Sequence, residues 1–84
     1  MITVIGSRLC PDTMTVLDEL TKTEVPYDFV DILSGLDELR KYLSLRDCHE
    51  VYSEILGTGR IGIPCFVLEN GNVTLGLREV LKKR

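Results

Sequence analysis

A cysteine and a proline, Cys10-Pro11, stand between a short apolar run and an amphipathic one. That junction constrains the fold more than any other stretch. Ile2-Thr3-Val4-Ile5 is rich in β-branched residues that suit a strand, and Gly6 breaks it. From Pro11 to about Lys22 the spacing predicts a helix, with Val16, Leu17 and Leu20 on one face and Met14 flanking it. Proline suits the first helical position because its missing N–H has no helical partner there. Cys10 therefore falls at a strand-to-helix turn, at or just before a helix N-terminus. The first-turn amides point outward unpaired and carry a partial positive charge. A thiolate held there is stabilised, and the thiolate is the nucleophilic form. Taken alone, the stretch fits a reactive thiol and a half-buried cysteine before a helix equally well.

Val25-Pro26 closes the helix, because the residue before proline is pushed away from helical angles. Tyr27 to Asp31 reads as a second strand, placed at a sheet edge by Pro26 and two aspartates. Strand, helix, strand in that order implies a right-handed crossover and a parallel pair. Ser34 and Asp37 form a capping-box-like start to a second helix, with Leu36, Leu39 and Leu43 on one face. The polar run Arg46-Asp47-Cys48-His49-Glu50 marks a bend or an end. Val51, Tyr52, Ile55 and Leu56 suggest a further short helix, which Gly57-Thr58-Gly59 terminates. Cys65 to Leu68 and Val73 to Leu75 read as a hairpin around Asn70-Gly71. Gly76 precedes a last helix, about Leu77 to Lys83, with Lys82, Lys83 and Arg84 at its negative end. The order is βαβα(α)ββα, an α/β chain with a four-stranded mixed sheet and helices on both faces.

At 84 residues the chain makes one domain, 1–84. A net charge of −3 counts against nucleic acid or an anionic membrane as the main partner. No signal peptide and no membrane span is evident, so the expected place is the cytoplasm. The three cysteines, Cys10, Cys48 and Cys65, leave one over from any disulfide framework and match no zinc spacing. A reducing compartment with one working thiol fits them better.

A cysteine at a strand-to-helix turn, Ile63-Pro64 before a hairpin, and a short last helix are an uncommon combination. With them the chain resembles the thioredoxin superfamily, most closely a small glutaredoxin or glutaredoxin-related protein, from Met1 to about Leu81. The resemblance implies a thioredoxin-like fold and a Cys10 that attacks glutathione mixed disulfides. Many glutaredoxins carry a second cysteine three residues on, where this chain has Thr13. That departure leaves a monothiol route in which glutathione itself resolves the mixed disulfide. Thr13 either donates its hydroxyl to the Cys10 sulfur or satisfies helical backbone. Asp12 stands where the common motif has an aromatic residue, and its carboxylate opposes ionisation of a neighbouring thiol. Arg8 either offsets that charge as an anion contact or is a solvated surface arginine. The resemblance makes Pro64 a cis-proline packed against the nucleophile. It makes the backbone of Ile63 the partner of glutathione's cysteine moiety, in the manner of an added strand. Gly76-Leu77-Arg78-Glu79 stands where glutaredoxins hold the γ-glutamyl end of glutathione, with only Gly76 and Glu79 matching. Backbone N–H groups at that helix start offer a carboxylate contact beside Arg78. Arg60 is either a partner for glutathione's glycine carboxylate or a solvated loop arginine. His49 is expected to be exposed.

Three functions compete. One is a glutathione-dependent thiol–disulfide oxidoreductase, monomeric, acting on glutathione or a glutathionylated protein. Another is a thioredoxin-fold binding domain without turnover. The third is an iron–sulfur cluster carrier, against which Pro11 counts, since such relatives usually have glycine or serine after the cysteine. If Pro64 faces Cys10, side-chain alternation turns Cys65 to the opposite face of the sheet, under the second helix. Cys65 is then expected to be buried and inert rather than a resolving thiol.

Overall fold

The computed structural model describes residues 1–82. Four strands, β1 (Ile2–Gly6), β2 (Tyr27–Asp31), β3 (Cys65–Val67) and β4 (Val73–Thr74), form one sheet in the order β2-β1-β3-β4. β1 pairs in parallel with β2 and antiparallel with β3, and β4 closes the hairpin onto β3. The sheet is therefore mixed and open, with β2 at one edge and the two-residue β4 at the other. The helices are α1 (Pro11–Lys22), α2 (Leu36–Cys48) and α3 (Leu77–Lys82), with a 3-10 turn at Glu50–Tyr52. Lys83 and Arg84, expected at the end of the last helix, lie outside the described residues.

Alternation along the central strands separates two cores. Ile2 and Val4 of β1 and Phe66 of β3 pack with Val16, Leu17 and Leu20 of α1 and Val80 of α3. Ile5 and Cys65 face the other way, into Ile32, Tyr42, Tyr52 and Ile55. Helices thus cover both faces of the sheet. Val4, Leu20 and Phe66 are wholly buried, each stabilising the fold by about 1.5–3 kcal/mol.

Several local expectations are corrected. Ser34 does not cap α2: its hydroxyl donates to the Asp31 carbonyl, and Gly35 is the N-cap. Asp37 instead pairs with Arg40 one turn on. The buried side of α2 is not the Leu36–Leu39–Leu43 face. Leu36 is 69% exposed and Leu43 is also exposed, while Tyr42 is buried with Leu39 and Leu45 beside it. Tyr42 wins because its ring fills the core and its hydroxyl finds a carbonyl, a pairing that leucine lacks. α2 ends at Cys48, inside the polar run expected to bend or end it, but only a 3-10 turn follows where a short helix was expected. In the hairpin, Gly71 N–H bonds the Leu68 carbonyl and Leu68 N–H bonds the Asn72 carbonyl. The hairpin expected around Asn70-Gly71 is therefore present, with a three-residue loop and Gly71 at φ +88.

α1 ends before Val25-Pro26 is reached. Glu24 N–H bonds the Thr21 carbonyl and Val25 N–H bonds the Leu20 carbonyl, with Glu24 at φ +58. This is a Schellman closure with a glutamate where glycine is usual. The left-handed conformation costs a side-chain-bearing residue about 1–2 kcal/mol. Glu24→Gly is expected to raise the unfolding free energy by about 0.5 kcal/mol, because glycine's greater unfolded-state entropy offsets part of the relief. Urea unfolding measures it, and a loss of stability would show that the Glu24 side chain outweighs the strain.

Candidate functional site

The turn that presents Cys10 is built on Ser7. The Ser7 carbonyl accepts the Cys10 N–H at 3.0 Å, and its hydroxyl accepts the Leu9 N–H at 3.1 Å. Cys10 is the N-cap of α1, with extended backbone angles and a carbonyl that accepts the Met14 N–H. Its side chain makes no capping hydrogen bond and is partly exposed. Pro11 occupies the first helical position, as expected.

The Thr13 hydroxyl is engaged by backbone, not by the Cys10 sulfur. The residue is fully buried, and its Oγ1 accepts the Ser7 N–H at 3.4 Å. Among the described residues, no hydrogen bond joins it to Cys10. It lies so close to β1 that a Cβ on Gly6 would stand 2.5 Å from its Oγ1 and 2.8 Å from its Cγ2. Thr13 thus holds the end of β1 against the first turn of α1 and sets the height at which Cys10 emerges.

Arg8 is engaged by β2 instead. Its guanidinium lies 4.9 Å from the centre of the Phe29 ring and 3.8 Å from the Asp31 carboxylate, out on the β2 side. Arg60, weighed as a carboxylate partner or as a solvated loop arginine, is exposed and shares a groove with the thiol. A groove of about 510 Å³ is lined by Cys10, Asp12, Arg60, Ile61, Gly62 and Ile63, with exposed Leu9 and Leu33 at its rim. No ion pair engages the Arg60 guanidinium among the described residues.

The Ile63–Pro64 bond is cis. Ile63 lines the Cys10 groove, and Pro64 lines an adjoining one that shares Asp12, Arg60 and Ile63. Leu75 and Leu77, on either side of Gly76, reach that second groove. Arg78 and Glu79 do not. Glu79 instead lines a separate depression with Cys48 and His49, behind the β4 edge. The Gly76 N–H is taken by the Thr74 hydroxyl at 3.2 Å. The structure therefore joins Cys10 with Ile63 and Arg60, brings Pro64 next to them, and leaves Arg8, Arg78 and Glu79 outside.

Cys65 is fully buried on the α2 side of the sheet, as alternation requires. All three cysteines are free thiols. Burial pushes the Cys65 thiol up, and the neighbouring Tyr52 hydroxyl draws it part of the way back. Burial likewise raises Tyr52, with Cys65 adding to the effect, and raises Tyr42 against the pull of Arg46. These phenols are the residues that the sequence reading left out of the site. Tyr42 donates to the Ile61 carbonyl and Tyr52 to the Gly62 carbonyl. Their ring centroids lie 6.3 Å apart, edge to face. No three His, Cys, Asp or Glu side chains converge as a metal site among the described residues. No helix there is long and apolar enough to cross a membrane.

Comparison with known proteins finds an uncharacterized protein of Haemophilus influenzae, 37% identical over 74 residues, which span 88% of this chain and 86% of that one. No family model and no solved structure matches.

Gly6→Ala is expected to cost about 1–3 kcal/mol, because the new methyl must displace a buried threonine. Thr13→Ala in the same chain should recover part of that loss. Strict additivity of the two changes in urea unfolding would remove the close approach as the cause. A pH effect follows from the raised phenols and thiol. A group whose folded-state value is raised contributes stability that is complete below its ordinary value and is lost as pH climbs through the raised one. The ordinary values are 9.0 for Cys65 and 10.0 for the tyrosines. Stability should therefore fall from about pH 9 upward, and less steeply in Tyr52→Phe. An equally steep fall in that variant would assign the alkaline transition to other groups.

Proposed function

This chain belongs to one family with that Haemophilus influenzae protein, and we propose that it is a monothiol glutaredoxin-like thiol–disulfide oxidoreductase of thioredoxin-like fold. The observation that carries the reading is the shared groove. It holds a partly exposed cysteine at a helix N-cap beside an Ile63 whose N–H and C=O take no hydrogen bond from the described residues. A thiol beside the unpaired backbone groups of Ile63 suits an extended, cysteine-containing peptide. Glutathione is such a peptide. The sheet order and the helices on both faces support the thioredoxin-like assignment.

The exchange proceeds in two displacements. The Cys10 thiolate attacks the glutathione sulfur of a mixed disulfide, and the substrate's thiolate leaves and takes up a proton. A second glutathione thiolate then attacks the sulfur of glutathione bound to Cys10. Oxidised glutathione departs and the Cys10 thiolate is restored. The net exchange consumes one glutathione thiol, which replaces the substrate sulfur in the disulfide; the entering sulfur is oxidised, the substrate sulfur is reduced, and the proton passes to the released substrate thiol. Thr13 in place of a second thiol makes external resolution necessary, and buried Cys65 on the far face offers no internal route. Arg60 is the cation placed to meet a glutathione carboxylate by a charge-assisted hydrogen bond.

The rival reading, a binding domain of the same fold without turnover, draws on Thr13 and Arg8 being engaged by Ser7 and Asp31 and not by the sulfur. Kinetics separate the two. The wild-type chain should reduce a glutathione mixed disulfide with glutathione as the reductant, and Cys10→Ser should abolish turnover. Mass spectrometry after mild treatment with oxidised glutathione should place the adduct on Cys10, leaving Cys65 unmodified. Arg60→Ala should raise KM about fivefold or more, whereas Arg78→Ala should change it little. Turnover that survives Cys10→Ser, or an adduct found on Cys48 alone, would refute the proposal.

A further inference from the structure

The loop that faces Cys10 is held from behind by three side chains, one on each of three consecutive carbonyls. Arg46 donates to the Arg60 carbonyl at 3.2 Å, Tyr42 to that of Ile61, and Tyr52 to that of Gly62 at 2.9 Å. Arg46 and Tyr42 stand one turn apart on α2, and Tyr52 closes the 3-10 turn that follows. An extended chain alternates the direction of successive groups, so drawing three carbonyls to one side requires a break from strand geometry. Gly62 supplies it at φ +74. No side chain fits there, because a Cβ would stand 2.6 Å from Tyr52 Cε1 and 2.8 Å from Ile55 Cδ1. The loop therefore lies flat on the Tyr52 ring with its carbonyls engaged on the α2 side. The next residue, Ile63, is the one whose backbone groups no described residue engages.

We propose that Tyr42, Arg46 and Tyr52 are positioning residues that pre-order the 60–63 backbone for an extended disulfide-bearing peptide. The proposal rests on the reading of Cys10 as the exchanging thiol. Ordering a loop during binding costs conformational entropy, about 1–2 kcal/mol of backbone freedom per residue. A loop ordered in advance has already met that cost. These side chains touch neither the sulfur nor the peptide, so they act on substrate capture and leave sulfur chemistry alone.

Tyr42→Phe, Tyr52→Phe and Arg46→Met each remove one donor while keeping most of the packing volume. Each is expected to raise KM for a glutathione mixed disulfide about three- to tenfold, as loss of one hydrogen bond would, with kcat within twofold of wild type. Iodoacetamide should alkylate Cys10 at the wild-type rate in all three. Tryptic cleavage after Arg60 should quicken about tenfold in the phenol variants, as a loop freed by the loss of one hydrogen bond would. Should Tyr52→Phe fail to fold, Tyr42→Phe and Arg46→Met carry the test. Folded variants whose KM and rate of cleavage after Arg60 both match wild type would overturn the positioning role and leave the reading of Cys10 standing. A wild-type chain that turns over no glutathione mixed disulfide would overturn that reading and the purpose of the clamp with it.

Discussion

Burial of β1 on both faces is the constraint on which the rest depends. It lies between β2 and β3, so its backbone hydrogen bonds are satisfied laterally and its side chains must be satisfied above and below. Ile2 and Val4 go to the α1 side and Ile5 to the α2 side. The chain must then leave the strand at a fixed point and turn at once into α1, whose Val16, Leu17 and Leu20 cover the face just created. Gly6 and Thr13 meet at that turn with no room for a methyl between them. The position of Cys10 thus follows from packing several residues away from its sulfur.

The two cores do different work. The α1 side is aliphatic and aromatic throughout its buried cluster. The α2 side mixes apolar groups with two phenols and a thiol. The phenols are buried, yet each donates to a loop carbonyl. A buried hydroxyl without a partner is costly, and a paired one fixes geometry. One core therefore supplies cohesion and the other also fixes the backbone opposite Cys10.

The parts of the fold legible in the sequence were those governed by local rules. Pro11 at the first helical position, the Val16–Leu17–Leu20 stripe, the parallel β1–β2 pair and the inward turn of Cys65 all follow from spacing and backbone preference. The misread parts were settled by distant partners. Nothing in the spacing of α2 favours Tyr42 over Leu43; its partner, the Ile61 carbonyl, is 19 residues away. Thr13 was weighed as a partner for the sulfur, whereas the turn places its hydroxyl against the Ser7 N–H. Arg8 was weighed for the site, but Phe29 and Asp31 on β2 hold it through contacts more than 20 residues distant in sequence. Within the candidate site, Cys10 and Ile63 could be named in advance, whereas Arg60 could not be told from a solvated loop arginine. The phenols behind the loop could not be named, because tyrosine in an amphipathic helix carries no sign of what its hydroxyl will meet.

The open sheet has one further consequence, for how the molecule behaves at high concentration. An unpaired strand edge is a template on which a second chain can add. Here one edge, β4, is two residues long and too short to register a partner. The other, β2, carries Asp28 exposed and Asp31 part-buried, and Arg8 lies over its Phe29. A strand arriving from another copy would bring its own aspartates against these. Edge-to-edge growth into filaments is disfavoured at both ends of the sheet, by the brevity of β4 at one and by like charge on β2 at the other.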